Sequence, residues 1–355
     1  MNRRAIVALA GVVLVSSAAG CWPWENFADD EYKEALPRQQ DLVVKIGEQD
    51  VVEGVDQQAA LDPYAADHCQ QECCIIEEGG EQWYVSGEIY EATREAKWHV
   101  NGALVVTLGW ISEILEYPYS EETELGYIWG PWQESLSRIE FRFAMDKTSA
   151  GEFAFRLEGR NINAEADEAW LPVLEGDVTS DDQPYHGTGV MSVDYGAIHE
   201  IDVSHPTPAA GLITYEFDVR DYPYTVDVQF DGFEPEPGEV LDAVYHYSRL
   251  GSGMSGEFGF VAEADVWPEE SPDGLPEQLD VESRWTAQGA GIGSASINGG
   301  SLDADAVESF TIEECWAGAD CLYYQTWEHT AIDFAGPTTD ISETGCGDMA
   351  YCPTI

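Results

Sequence analysis

Lysine is nearly missing from this 355-residue chain, occurring only at Lys33, Lys45, Lys97 and Lys147, and all Lys and Arg together number 15 against 68 Asp and Glu. The formal net charge of −53 leaves no basic surface to displace counterions from phosphate, which excludes nucleic-acid binding as a main activity. The same deficit excludes attachment to anionic lipid through a polybasic face. Catalytic signatures are also lacking. Gly253-Met254-Ser255-Gly256 misses the second glycine of a nucleophile elbow. His199-Glu200 has no His-Glu-x-x-His completion, and the seven histidines are scattered. Gly289-Ala290-Gly291-Ile292-Gly293 lies between strand-like segments with no helix after it to aim amides at phosphate, so it reads as a β-turn or bulge. Among so many acids, neighbouring carboxylates arise by chance. No catalytic residue is nominated, and an enzyme, hydrolytic or other, is the least favoured class.

What is present is a core. Apolar residues make up 44% of the chain and aromatics 12%, enough to rule out wholesale disorder. The first residues have a different character. Met1-Asn2-Arg3-Arg4 is a short basic stretch, Ala5 to Val15 is apolar, and the small residues Ser16-Ser17-Ala18-Ala19-Gly20 lead to Cys21. That order is the pattern of an export signal. An uncleaved membrane span fits less well, because Cys21-Trp22-Pro23-Trp24 makes a poor helix end.

The segment resembles the type II signal peptide of bacterial lipoproteins, with Ala18-Ala19-Gly20-Cys21 as the lipobox; Ala18 stands where that family prefers Leu. The resemblance implies removal of residues 1–20 and acylation of Cys21, with palmitate-type chains holding the protein to a membrane. Two or three acyl chains suffice for stable anchoring at about 0.8 kcal/mol per buried methylene. Trp22 follows the cysteine where an inner-membrane retention signal would have Asp, so the likeness implies the outer membrane. Further along, Ile128-Trp129-Gly130-Pro131-Trp132, Ser283 to Gly291 and Glu314-Cys315-Trp316 resemble segments of uncharacterised lipoproteins from myxobacteria-like lineages. No activity comes with that likeness.

Residues 21–60 read as lipid anchor and tether, with a short helix within Glu25 to Leu36 and a strand at Leu42-Val43-Val44. A single β-rich domain is expected over 61–333 and a disulfide-pinned tail over 334–355. Two helices are predicted, near 62–78 and over 101–116. In the second, Leu104, Val105, Leu108, Trp110, Ile111, Ile114 and Leu115 are apolar nearly all round, as in a buried helix. Beyond it the period changes to two. Ile139, Phe141, Phe143 and Met145 alternate with polar partners, as do Phe153 to Leu157, Ile213 to Val219, Tyr224 to Phe230 and Leu279 to Trp285. Further strands are expected near 170–175, 189–195, 244–247, 257–264, 291–297, 308–313 and 322–327. The expected fold is mainly β: a large antiparallel meander forming a curved sheet or partial barrel around one buried helix, with a β-sandwich as the alternative.

Leaving Cys21 aside, Cys69, Cys73, Cys74, Cys315, Cys321, Cys346 and Cys352 are disulfide candidates in an exported chain. Local loops Cys315–Cys321 and Cys346–Cys352 and cross-pairing among the clusters are both open, and an odd thiol remains. His68, Cys69, Cys73 and Cys74 admit a zinc reading, weaker because no second knuckle exists. No metal ligand and no cofactor is assigned. Calcium is considered at Asp303-Ala304-Asp305, Asp177 to Asp182 and Asp227 to Asp231, against a default of solvated acidic loops. The functional expectation is a membrane-anchored envelope lipoprotein acting as a non-catalytic binding or interaction module, with other envelope proteins as partners. The alternative is a carrier holding an apolar ligand in the barrel concavity. The acidic coat makes one prediction now: thermal stability should rise between low and molar salt as self-repulsion is screened, and a flat midpoint across that range would refute it.

Overall fold

The computed structural model describes residues 27–47, 74–78, 81–84, 87–133, 138–164, 170–181, 183–203, 209–234, 240–253, 255–264, 275–300, 302, 307–317, 321–331, 339–347, 349 and 352–353. The helices in chain order are α1 (Asp30–Glu34), α2 (Gln39–Leu42), α3 (Glu88–Leu115) and α4 (Tyr195–Ile201). The strands are β1 (Ile75–Glu78), β2 (Glu81–Tyr84), β3 (Glu121–Glu122), β4 (Gly126–Gln133), β5 (Ile139–Ser149), β6 (Glu152–Asn161), β7 (Leu171–Ser180), β8 (Gly187–Asp194) and β9 (Ala210–Asp218). They continue with β10 (Tyr224–Glu234), β11 (Leu241–Arg249), β12 (Gly256–Ala264), β13 (Glu277–Trp285), β14 (Gly291–Asn298), β15 (Val307–Trp316), β16 (Leu322–Ala331) and β17 (Thr339–Gly347). The fold is mainly β and antiparallel, a meander accompanied by one long helix, as the alternation of apolar and polar residues predicts.

The chain divides into two compact units, Met1–Val43 with Asn101–Asp242 and Val44–Val100 with Ala243–Ile355. In the first, β3 to β10 lie side by side in chain order, each antiparallel to the next. In the second, β11 to β17 do the same, and β1 and β2 form a separate hairpin. Neither run closes on itself among the described residues, and the strands of each run belong to one sheet, which sets aside the sandwich alternative.

Alternation places one face of each strand inside. In β10, Tyr224, Val226, Val228 and Phe230 are buried while Gln229 and Asp231 are exposed. Helix α3 supplies the matching stripe. Ile89, Thr93, Ala96, Val100, Leu104, Leu108, Ile111 and Leu115 are buried at helical spacing. Glu88–Val100 belongs to the second unit and Asn101–Leu115 to the first.

Several local expectations need correction. The long helix begins at Glu88, so Asn101 is a buried mid-helix residue and not a cap. Residues 62–73 lie outside the described residues, but 75–78 form a strand where a helix is expected. Ile76 pairs with Trp83 across the hairpin, and β-branched residues beside the Gly79-Gly80 pair favour that arrangement over a helix end. Leu42-Val43-Val44 is buried at the end of α2 and is not a strand. The part of the expected tether that is described is packed. Tyr32 sits edge-on to Tyr127 and Phe153, its hydroxyl donates to Leu125 O at 3.1 Å, and Gln39 donates to Val105 O at 3.1 Å.

The glycine run 289–293 has a packing explanation. Gly256 pairs with Trp285, Trp285 with Gly291, and Gly291 with Trp316, so bulk and absence of bulk alternate along one cross-strand row. A Cβ at Gly291 would lie 2.4 Å from the Trp316 ring and one at Gly256 2.9 Å from the Trp285 ring. Both indoles are fully buried. Trp316 donates to Gly289 O at 3.0 Å, and Tyr247 stacks parallel to Trp285. Gly291→Ala is therefore an overpacking change, expected to cost about 1–3 kcal/mol in denaturant unfolding. Gly251→Ala, at a site with no atom within 4 Å, should stay within about 0.5 kcal/mol; equal effects at both sites would contradict the packing account.

Candidate functional site: a buried carboxyl and the outer strand faces

Strand β15 carries Ile312 and Trp316 inward, and the parity that buries them also buries Glu314 between them, at 3% exposure. Its neighbours on that row are Gly293 on β14 and Gln325 on β16. The carboxyl lies at the start of α3, where Oε1 accepts from the backbone N–H of Tyr90 at 2.8 Å. The amides of Glu88 and Ile89 also hydrogen-bond to it, and Gln325 Nε2 donates to Oε2 at 3.4 Å. The first turn of a helix leaves N–H groups without intrahelical acceptors. Gly87, whose carbonyl accepts the first helical bond from Glu91 at 3.0 Å, has no side chain to cap them. A Cβ there would lie 2.2 Å from Glu314 Oε1. Glu314 thus performs from a distant strand the task of an N-cap side chain.

Burial pushes the Glu314 carboxyl up to about 7, with the Glu88 charge adding to the rise and the three amides opposing it. Desolvation outweighs the favourable field of the helix end. A raised acid of this kind is also what a general acid or base requires. Its partners here are backbone amides and one amide side chain, so the arrangement clamps a helix and offers no nucleophile. His99, on the same helix, is pushed below its ordinary value by burial. Among the described residues no group of three or more His, Cys, Asp and Glu is placed to hold a metal ion.

The sequence candidates fall as follows. Cys21, His68, Cys69, Cys73 and the Asp303-Ala304-Asp305 run lie outside the described residues. Cys315 is bonded to Cys352, 37 residues on, so the local loops Cys315–Cys321 and Cys346–Cys352 are not the pairing adopted. Cys315 stands opposite Ile292 on β14 and is itself 1% exposed. Cys74 and Cys321 are also disulfide-bonded, which removes Cys74 as a zinc thiolate. The Cys74 amide donates to Leu322 O at 2.7 Å. Cys346 lies in β17 opposite Gln325. Asp177 stands on β7 and Asp181 just after its end, and Asp227 and Asp231 take outward positions on β10 with Gln229 between them, so neither pair converges. Glu314 itself was missed as a site residue, though Ile312 and Trp316 on either side mark its position as inward.

The outer faces differ in how their acids are balanced. On β5 and β6 of the first unit, Arg142 meets Glu158 at 2.8 Å, Arg156 meets Asp146 at 3.1 Å and Arg160 meets Glu140 at 2.5 Å. Trp170 lies beneath the guanidinium groups of Arg142 and Arg160, at 4.4 and 4.5 Å. On β11 to β13 of the second unit, Val244 and Val261 pair across strands, 51% and 38% exposed. Glu263, Asp280 and Glu282 stand around them on the same face. Comparison with protein-family models, characterised proteins and solved structures gives no match to this chain.

The Glu314 site predicts an unusual pH dependence. A glutamate titrates near 4.5 when unperturbed and near 7 here, so between those values the folded state binds more protons than the unfolded one. This group's contribution to stability is then greatest below 4.5 and declines as pH rises through 7. The full difference is about 3 kcal/mol. Glu314→Gln retains an acceptor and never ionises, so it should remove that decline in urea unfolding measured from pH 4.5 to 8; an unchanged slope would refute the assignment.

Proposed function

We propose that this protein is a lipid-anchored envelope lipoprotein, held to the membrane through Cys21 and acting as a non-catalytic interaction module. The lipobox-like Ala18-Ala19-Gly20-Cys21 supports the anchor. The observation that carries the second half is the filling of the inner faces by the chain's own side chains. Phe143 and Tyr215 in the first unit, and Tyr247, Phe258, Trp285 and Trp316 in the second, are all buried below 2% exposure. Centroid spacings such as 5.6 Å for Tyr90–Trp316 are those of rings in contact. A carrier of an apolar ligand needs that space for its cargo, so the interaction reading is favoured over the carrier. The strongly perturbed acid, Glu314, is engaged with helix amides, which supports a non-catalytic role. With the interior occupied, recognition falls to the acidic outer strand positions. An outer-membrane location follows from Trp22 after the cysteine, by the lipoprotein resemblance.

Cys21→Ser should abolish palmitate labelling and move the protein from the membrane fraction to the soluble fraction. Retention of the full-length variant in the membrane would refute the anchor. Organic extraction of the purified protein distinguishes the two modules, since stoichiometric co-purifying lipid would favour the carrier.

A further inference from the structure

The outer face of the second unit carries a feature that the interaction reading leaves unassigned. Val244 and Val261 face solvent at directly opposed positions on β11 and β12. Single exposed apolar residues are ordinary, whereas an adjoining pair on a strand face that is otherwise polar leaves continuous apolar surface in water. Across from Val261 on β13 is Asp280, and two residues along the same strand is Glu282. Glu263 stands two residues from Val261 on β12. Glu282 is opposite Gly259, where an added Cβ would meet nothing closer than Val281 O at 3.4 Å. The face is therefore low at Gly259, with His246 opposite it on β11, Asp280 and Glu282 along the β13 side and the valine pair at one end.

These carboxylates are unlike those on β5 and β6. There, arginines on the neighbouring strand meet the acids at hydrogen-bonding distance. On this face Arg284 meets Glu257 at 2.5 Å one outward row beyond Gly259 and Glu282, but among the described residues the carboxylates of Glu263, Asp280 and Glu282 have no ion pair or side-chain hydrogen bond. Like charges on adjacent positions of one face repel, and a cation brought from outside would relieve that repulsion. No metal-holding group is present there among the described residues. A second copy of this chain would bring another net charge of −53 to the same place, and nucleic acid or anionic lipid has the wrong sign.

We infer that the face formed by Val244, Val261, Gly259, Glu263, Asp280 and Glu282 docks a cationic amphipathic segment of a partner protein. Its apolar side chains cover the two valines, and its Lys or Arg side chains meet the three carboxylates, which accept charge-assisted hydrogen bonds. The valines supply the buried area and the acids supply orientation and association rate. The inference rests on the interaction-module reading and gives it a surface and a partner chemistry.

The test uses the full chain in detergent micelles and a fluorescein-labelled amphipathic peptide of Leu and Lys, with binding followed by anisotropy at fixed physiological salt. Val244→Ser with Val261→Ser leaves the charge unchanged and should weaken binding about tenfold. Asp280→Asn with Glu282→Gln should do so by a similar factor. Glu175→Gln with Asp177→Asn removes two exposed acids from β7 of the first unit and should change affinity less than about twofold. Equal loss in that control, or no loss in the valine variant, would show attraction to net charge alone and overturn the docking face. Absence of measurable binding to the unaltered protein would overturn it too. Neither result touches the anchor, which stands or falls with Cys21→Ser.

Discussion

The amides at the start of helix α3 converge on a carboxyl from a strand 224 residues away in sequence. Much of the second unit is arranged around that bond. Gly87 brings no side chain, so Glu314 can approach the first turn closely. Gln325 stands opposite Glu314 on the next strand and supplies a donor to the second oxygen. The helix end favours the ionised carboxylate while burial favours the neutral acid, and burial prevails. Either form presents an oxygen to the Tyr90 amide, so the clamp holds on both sides of its titration.

The clamp and the tryptophan row are one register. Trp316 is two residues beyond Glu314 and shares its face, so seating the indole over Gly291 sets the carboxyl beside Gly293. A Cβ at Gly293 would lie 2.5 Å from Ile89 in the first turn of α3. The helix start thus needs a glycine on β14 for its apolar residue and an acid on β15 for its amides. A slip of β15 by one residue would turn Trp316 and Glu314 to the solvent face together. Register is specified here by size and charge at once.

Strand periodicity was legible because each strand has one wet face: every run from Ile139 to Trp285 named for its alternation lies in or overlaps a strand, and the further segments expected as strands, up to 322–327, do so too. Elements without that signal were not. Strand β4 contains Gly130-Pro131 and a register irregularity between Trp129 and Trp132, which breaks the period of two. The first half of α3 mixes Glu91, Arg94 and Glu95 with its buried positions, one of which is Lys97, so its apolar stripe is diluted until Val100. The docking of residues 27–43 rests on long-range contacts such as Tyr32 with Phe153, which no local pattern encodes. Glu314 was hidden for a different reason. It is one of 68 acids, and only the parity of its strand separates it from the rest.

That parity carries the meaning of the charge. Glu313 and Glu314 are adjacent and chemically identical, yet one is exposed and the other is 3% exposed. The outward residue belongs to a surface where acids are balanced by arginine on β5 and β6 and left unbalanced around Val244 and Val261. The inward residue is matched to the start of a helix. Composition can say only that the molecule is acidic. The alternation of the strands decides which carboxylates repel, which pair and which one holds the helix, and the excess of acid becomes tolerable because, among the described residues, most of it stands where water can reach, Asp41, Glu277 and Glu314 being the buried exceptions.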